Sequence, residues 1–158
     1  MDTYDGFITT LAKNEIFVFG SNLGGFHGAG AAGYASFGVT GNQWRRFGYD
    51  KKPNGWQGKW AVKGCGKGLQ QGTDGWSYAL PTVKRPGSPL NRAQIEWNIK
   101  DLYAKAKKYP KWRFLIAYAA SGRNLNGYSP QDMADMFSSA TPPPNIIFQD
   151  KFSALLSF

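Results

Sequence analysis

The chain has 158 residues, 42% of them hydrophobic and 16% aromatic, which fits one folded domain with its own core and excludes a disordered tail. A formal charge of +9 implies an anionic partner or at least an anion-attracting field. With one cysteine, Cys65, and one histidine, His27, there is no disulfide framework and no His/Cys cluster to hold zinc, so neither metal nor cofactor is expected.

The start Met1-Asp2-Thr3-Tyr4-Asp5 is acidic, and no apolar run approaches a signal core or a membrane span, so the expectation is a cytoplasmic protein with no membrane partner. Residues 1–14 read as a lead-in, with a short strand or turn around Phe7-Ile8. Four apolar residues, Ile16 to Phe19, then form a strand ending in Gly20. A loop of small and polar residues follows, and the Ala/Gly run from Ala31 to Phe37 predicts a short helix that Gly38 terminates. Six of the fourteen residues from Gly20 to Gly33 are glycine, so the backbone there can approach a ligand that a Cβ would push away. Amide groups at a helix start suit a phosphate, and within the loop Asn22 and His27 have the side chains able to direct chemistry beyond what a hydroxyl offers. The same pattern is compatible with a plain tight turn: no acidic residue follows about 20 positions later to bind a ribose, and no Gly-Lys-Ser/Thr ending makes a P-loop.

Residues 40–76 are glycine-rich, with Trp44, Trp56, Trp60 and Trp76 interleaved with basic residues; residues 43–67 carry seven Lys or Arg against one Asp. Such a stretch can stack bases and track phosphates, which makes nucleic acid a possible partner through 43–67. It can equally pack its tryptophans on the domain body, or act as a lid. Ser77-Tyr78-Ala79-Leu80-Pro81 predicts a strand ended by its proline, and Pro86–Pro89 a turn. Asn91 is placed to cap a helix to about Lys108, with Ile95, Ile99, Leu102 and Ala106 on one face and Glu96/Lys100 and Asp101/Lys105 as charge pairs on the other. The run Trp112 to Ala120 reads as a strand buried on both faces, which leads into the polar loop Ser121 to Tyr128. Ser129-Pro130-Gln131-Asp132 opens a helix with Met133, Met136 and Phe137 on its apolar face; Thr141-Pro142-Pro143-Pro144 breaks it. Asn145 to Phe148 is a last strand, and Phe152 to Leu156 a closing turn or helix. Strands alternating with helices predict a three-layer α/β fold with a mixed, mostly parallel sheet, whose ligands bind beyond the C-terminal strand ends.

Phe19-Gly20-Ser21-Asn22 through His27-Gly28-Ala29-Gly30-Ala31-Ala32, with Ser121-Gly122 through Asn126-Gly127-Tyr128-Ser129, resembles the macrodomain superfamily, which binds ADP-ribose and related nucleotides. Gly68 to Gly72 and Ser77 to Thr82 look like that family's approach to its central strand. The opening is more closely similar to a compact group of bacterial and phage proteins sharing Phe-Gly-Ser-Asn-Leu-x-Gly-x-His-Gly-x-Gly-Ala-Ala. The resemblance covers Glu15 to Phe148, with 41–66 as an insertion in a single macrodomain-like domain. The sequence departs from the family in lacking the adenine-holding Asp in the glycine loop and in carrying Arg123, Asn124 and Asn126 in the second loop.

The resemblance implies that Gly20, Ser21 and Asn22 begin the site, with Asn22 on the distal ribose and the backbone of Gly28, Ala29, Gly30, Ala31 and Ala32 along the diphosphate. Ser121, Gly122, Arg123, Asn124, Asn126 and Gly127 would wrap the other side, with Tyr128 over the ribose. His27 is the candidate acid or base for hydrolysis of an ADP-ribosyl linkage, with Asn22 as its companion, or else shapes the loop. The implied partner is an ADP-ribose-type nucleotide or another phosphate-bearing small molecule. Three functions stay open: a hydrolase of ADP-ribose derivatives, a non-catalytic sponge for a cyclic or linear nucleotide signal such as a phage anti-defence protein would be, and a nucleic-acid binder.

Overall fold

The computed structural model of the chain describes residues 1–25, 30–37, 59–62, 64–85 and 87–158. Its strands are β1 (Thr3–Tyr4), β2 (Glu15–Asn22), β3 (Gly68–Gln71), β4 (Trp76–Arg85), β5 (Ser88–Pro89), β6 (Arg113–Ile116) and β7 (Ile146–Gln149). The helices are α1 (Gly30–Phe37), α2 (Arg92–Lys108), α3 (Pro130–Phe137) and α4 (Asp150–Ser153). The strands form one sheet in the order β1-β7-β6-β2-β4-β3. From β1 to β4 every neighbouring pair is parallel, while β3 and the short β5 run antiparallel to β4. The fold is therefore α/β with a mixed, mostly parallel sheet, as the alternation of elements predicts.

Side chains of successive strand residues leave the sheet on opposite faces, and in β2 and β6 both faces are apolar. Ile16, Val18, Phe114 and Ile116 join one cluster with Ile95, Ile99 and Leu102 of α2, Met133 and Phe137 of α3, and Phe152 of α4. Phe17, Phe19 and Leu115 face the other way, onto Ala32 and Ala35 of α1 and onto Trp60. Small residues let α1 lie close on its face of the sheet. Asn91 and Ser129 cap α2 and α3 as expected, each in a reciprocal capping box, with Gln94 and Asp132 respectively. At the other end of α2, the Asn145 amide donates to Ala106, Tyr109 and Trp112 carbonyls at 2.8, 3.0 and 2.8 Å, satisfying acceptors at and just beyond the helix end from the residue that precedes β7.

Four local expectations change. The N-terminal strand is Thr3–Tyr4, not Phe7-Ile8, because pairing with β7 takes it; Ile8 is buried while Phe7 stands 90% exposed. Pro81 does not end its strand. β3 pairs with β4 only as far as Ala79, so Pro81 lies where no β3 acceptor waits for an N–H, and the β2–β4 register slips just afterwards. β3 itself was hidden in a glycine-rich stretch. The apolar run after Trp112 is regular strand only to Ile116, although the Ala117 N–H still bonds the Val18 carbonyl at 2.8 Å and burial persists to Tyr118. On the outer face of α2, Asp101 pairs with Lys67 at 3.0 Å and not with Lys105.

Of the expected insertion at 41–66, residues 41–58 and 63, with Trp44 and Trp56 among them, lie outside the described residues, as does Gly38, the expected helix terminator. The described part is built into the body. The Trp60 side chain is 1% exposed, with its ring 4.8 Å from Phe17 and 5.7 Å from Tyr34. Its N–H donates to the Ala35 carbonyl at 2.8 Å, and its carbonyl accepts from Ser77 Oγ at 2.6 Å. Trp76 is half-buried against Trp112, with ring centroids 5.6 Å apart.

Candidate functional site

β6, β2 and β4 are adjacent and parallel, so their C-terminal ends open on the same edge of the sheet. The chain covers one face with α1 after β2 and the opposite face with α2 after β4, so helices diverge from neighbouring strands and leave a crevice at that edge. A cavity of about 340 Å³ lies there. Its walls are Gly20, Ser21 and Asn22 from β2, Thr82 and Val83 from β4, Ala117 and Tyr118 past β6, Ala31 and Ala32 from the first turn of α1, and Arg123 to Asn126 with Gly87.

The two loops singled out in the sequence thus meet at one cavity, Asn22 facing it from one side and Asn124 and Asn126 from the other. Gly30 begins α1, whose N-terminal turn borders the space. His27, Gly28 and Ala29 lie outside the described residues. Ser121, Gly122, Gly127 and Tyr128 are in the second loop but do not line the cavity. Tyr128 packs against the core of the helix-rich face and its hydroxyl donates to the Leu90 carbonyl at 2.6 Å, so its ring braces the loop and does not cover a ligand. Gly122 and Gly127 have φ of 96° and 83°, a left-handed conformation that explains glycine at both.

The second loop is held by its own amides. Asn124 Nδ2 donates to the Tyr128 carbonyl at 2.9 Å, the Tyr128 N–H donates to Asn126 Oδ1 at 2.9 Å, and the Gly127 N–H donates to the Asn124 carbonyl at 3.1 Å. The first loop is held by a glycine contact. The Gly64 N–H donates to the Gly25 carbonyl at 3.0 Å, Ser21 Oγ donates to the Gly66 carbonyl at 2.6 Å, and a Cβ on Gly25 or Gly66 would run into backbone atoms of the facing segment. Gly25 and Gly66 therefore serve a backbone crossing, a structural use that composition alone does not separate from ligand approach.

Comparison with known protein families, curated proteins and solved structures finds no match to this chain.

Tyr118, missed in the sequence because it sits inside an apolar run, lies at the buried end of the cavity. It is 6% exposed, its hydroxyl lies near that of Thr82 beside Gly20, and burial raises its pKa well above the tyrosine value, so it stays a neutral hydroxyl. Gly20 makes room for it: a Cβ there would stand 2.5 Å from Tyr118 Oη. Arg123 is exposed at the mouth, and among the described residues no carboxylate pairs with it. The described lining residues include no carboxylate and no imidazole, so acid–base work near neutral pH has no candidate among them. Among the described residues no His/Cys/Asp/Glu cluster could hold a metal ion, and no helix is long and apolar enough to cross a membrane.

Proposed function

We propose that this chain binds ADP-ribose or a closely related nucleotide in the cavity at the ends of β2, β4 and β6, within a macrodomain-like three-layer sandwich. The observation that carries the reading is that Asn22, Ala31, Ala32 and Arg123, drawn from two separate glycine-bearing segments, border one space of about 340 Å³, within the range of small-ligand sites. The first turn of α1 supplies positive amide ends and Arg123 a guanidinium, a suitable pair for a diphosphate. Helices on both faces of the sheet support the three-layer description.

The described lining favours binding without turnover, since its proton-bearing side chains are hydroxyls, amides and the Arg123 guanidinium, none of which exchanges a proton readily near neutral pH. Calorimetry with ADP-ribose, cyclic ADP-ribose isomers, NAD and short oligonucleotides tests it. ADP-ribose is expected to bind, and Arg123→Ala to weaken it by about tenfold or more, the worth of a charge-assisted hydrogen bond, with the fold unchanged. Heat from oligonucleotides and none from any ADP-ribose derivative would overturn the reading.

Hydrolysis is the second function and rests on His27 of the glycine loop. It predicts turnover of ADP-ribosylated protein that His27→Ala abolishes while binding persists. Recovery of the nucleotide unchanged after long incubation with the unaltered protein assigns the sponge instead.

A further inference from the structure

Positive charge gathers on the sheet edge opposite the cavity. β6 begins at Arg113, directly after the turn that closes α2, so that turn sits at the N-terminal ends of the strands, whereas the cavity lies past their C-terminal ends. From Lys105 to Arg113 the sequence holds five basic residues and no acidic one. Asp2 pairs with Arg113 at 3.5 Å, but among the described residues no carboxylate pairs with Lys105, Lys107, Lys108 or Lys111. A helix C-terminus favours lysines on its own account. It does not call for aromatic rings among them, yet the Tyr109 and Trp112 rings stack here with centroids 4.8 Å apart and planes at 16°. Trp76 and Trp112 pack on the core with their rings 5.6 Å apart, and Tyr109 adds a third ring to the group. The Lys105 and Lys108 ammonium groups lie 6.0 and 5.7 Å from the centre of the Tyr109 ring. Asn145 fixes this turn through the carbonyls of Ala106, Tyr109 and Trp112, and the Trp112 N–H donates to the Tyr109 carbonyl at 3.1 Å.

We propose that the turn closing α2 is a docking surface for single-stranded nucleic acid, with Tyr109 as the ring on which a base stacks and Lys107, Lys108 and Lys111 as the charges that meet successive phosphates. Lysines at exposed positions on either side of a held aromatic ring are the combination that a flexible polyanion with flat bases can use at once. Because hydrogen bonds already hold the turn, stacking there costs little ordering of the protein. A duplex presents the same phosphates but keeps its base faces against one another, so the ring adds nothing for it. An anionic membrane fits less well, since insertion calls for protruding apolar side chains, and the large exposed ones, Met1, Phe7, Leu23, Trp97, Leu125 and Phe158, lie outside Lys105–Arg113. The surface is separate from the nucleotide cavity, and separate in the chain from residues 43–67, so mutation can tell the three apart.

Fluorescence anisotropy of the full chain with a labelled oligo-dT of about 15 nucleotides, over a range of salt, tests the surface. Replacing Lys107, Lys108 and Lys111 together by alanine is expected to weaken binding about tenfold or more. It should also flatten the slope of log K against log salt by about 2, three phosphates at about 0.7 each. Tyr109→Leu is expected to weaken binding about fivefold or more with the slope unchanged, since a stacked base carries no charge. A duplex of the same length should bind more weakly than the single strand and be indifferent to Tyr109→Leu. A thermal melt of each variant shows whether it folds; if Tyr109→Leu does not, the lysine variant and the preference for single strand decide. Four results overturn the proposal: no oligo-dT binding by the unaltered protein at about 0.1 M salt, equal binding of duplex and single strand, a lysine variant that binds like the unaltered protein while Arg45→Ala/Arg46→Ala does not, or capture of phosphatidylserine vesicles without oligo-dT. None of these touches ADP-ribose in the cavity, and calorimetry with that nucleotide is expected to give the same affinity for the lysine variant as for the unaltered protein.

Discussion

Trp60→Ala is expected to cost about 3–5 kcal/mol of folding stability, on the order of 10 °C in melting temperature for a domain of this size. The indole is 1% exposed and fills the space between Phe17 of the central strand and Tyr34 of α1. Removing it leaves a void between two elements that both border the cavity. The neighbouring backbone is pinned through Ala35 and Ser77, so it cannot collapse to fill the gap. Denaturant melts of the variant measure the loss. The same substitution separates two roles for the Trp/Lys-rich stretch. An indole that stacks nucleobases would lose oligonucleotide affinity with little change in stability, so a melt unchanged within about 1 kcal/mol contradicts the packing described here.

Gly25→Ala is the second large effect, at about 3 kcal/mol or more, because two penalties fall on one position. The backbone sits at φ 71°, which an alanine adopts under strain, and the added methyl would run into backbone atoms of Gly64 and Cys65, which cannot rotate aside. Gly6 isolates the first penalty. Its φ is 69° with open space around it, so Gly6→Ala carries the conformational strain without the collision, about 1 kcal/mol. Urea denaturation of both variants is the measurement, and equal losses would show that the crossing tolerates a methyl. Gly25 is also hydrogen-bonded through its N–H to the Asn22 carbonyl at 3.0 Å, so a shift there moves one wall of the cavity. Gly25→Ala is therefore expected to weaken nucleotide binding together with folding, whereas Gly6→Ala leaves binding alone.

The long amphipathic helix, both caps and the four-residue cores of β2, β6 and β7 were legible in the sequence, since each is written in local periodicity and in Ser/Asn/Pro signals at fixed offsets. β3 was not: Gly68-Leu69-Gln70-Gln71 has little strand propensity and is held by its pairing with β4. Pro81 misled for a related reason, because whether a missing N–H matters depends on which neighbour lies alongside. At the site, Asn22, Arg123, Asn124 and Asn126 could be chosen as polar residues in glycine-bearing loops after apolar strands. Tyr118 and Thr82 could not, because an isolated hydroxyl inside a hydrophobic run gives no sign of which way it faces. Tyr128 illustrates the converse, an aromatic in a suggestive loop whose ring and hydroxyl are both used by the fold.

The cross-bonded turn from Asn124 to Tyr128, anchored to Leu90, spares an incoming molecule the loss of chain entropy that a slack segment would demand on that side. Its shape is settled before any encounter, so a molecule bound there would be selected by fit. Chemical variety in such a molecule would then be tolerated where it extends toward solvent and narrowly restricted where it meets this turn.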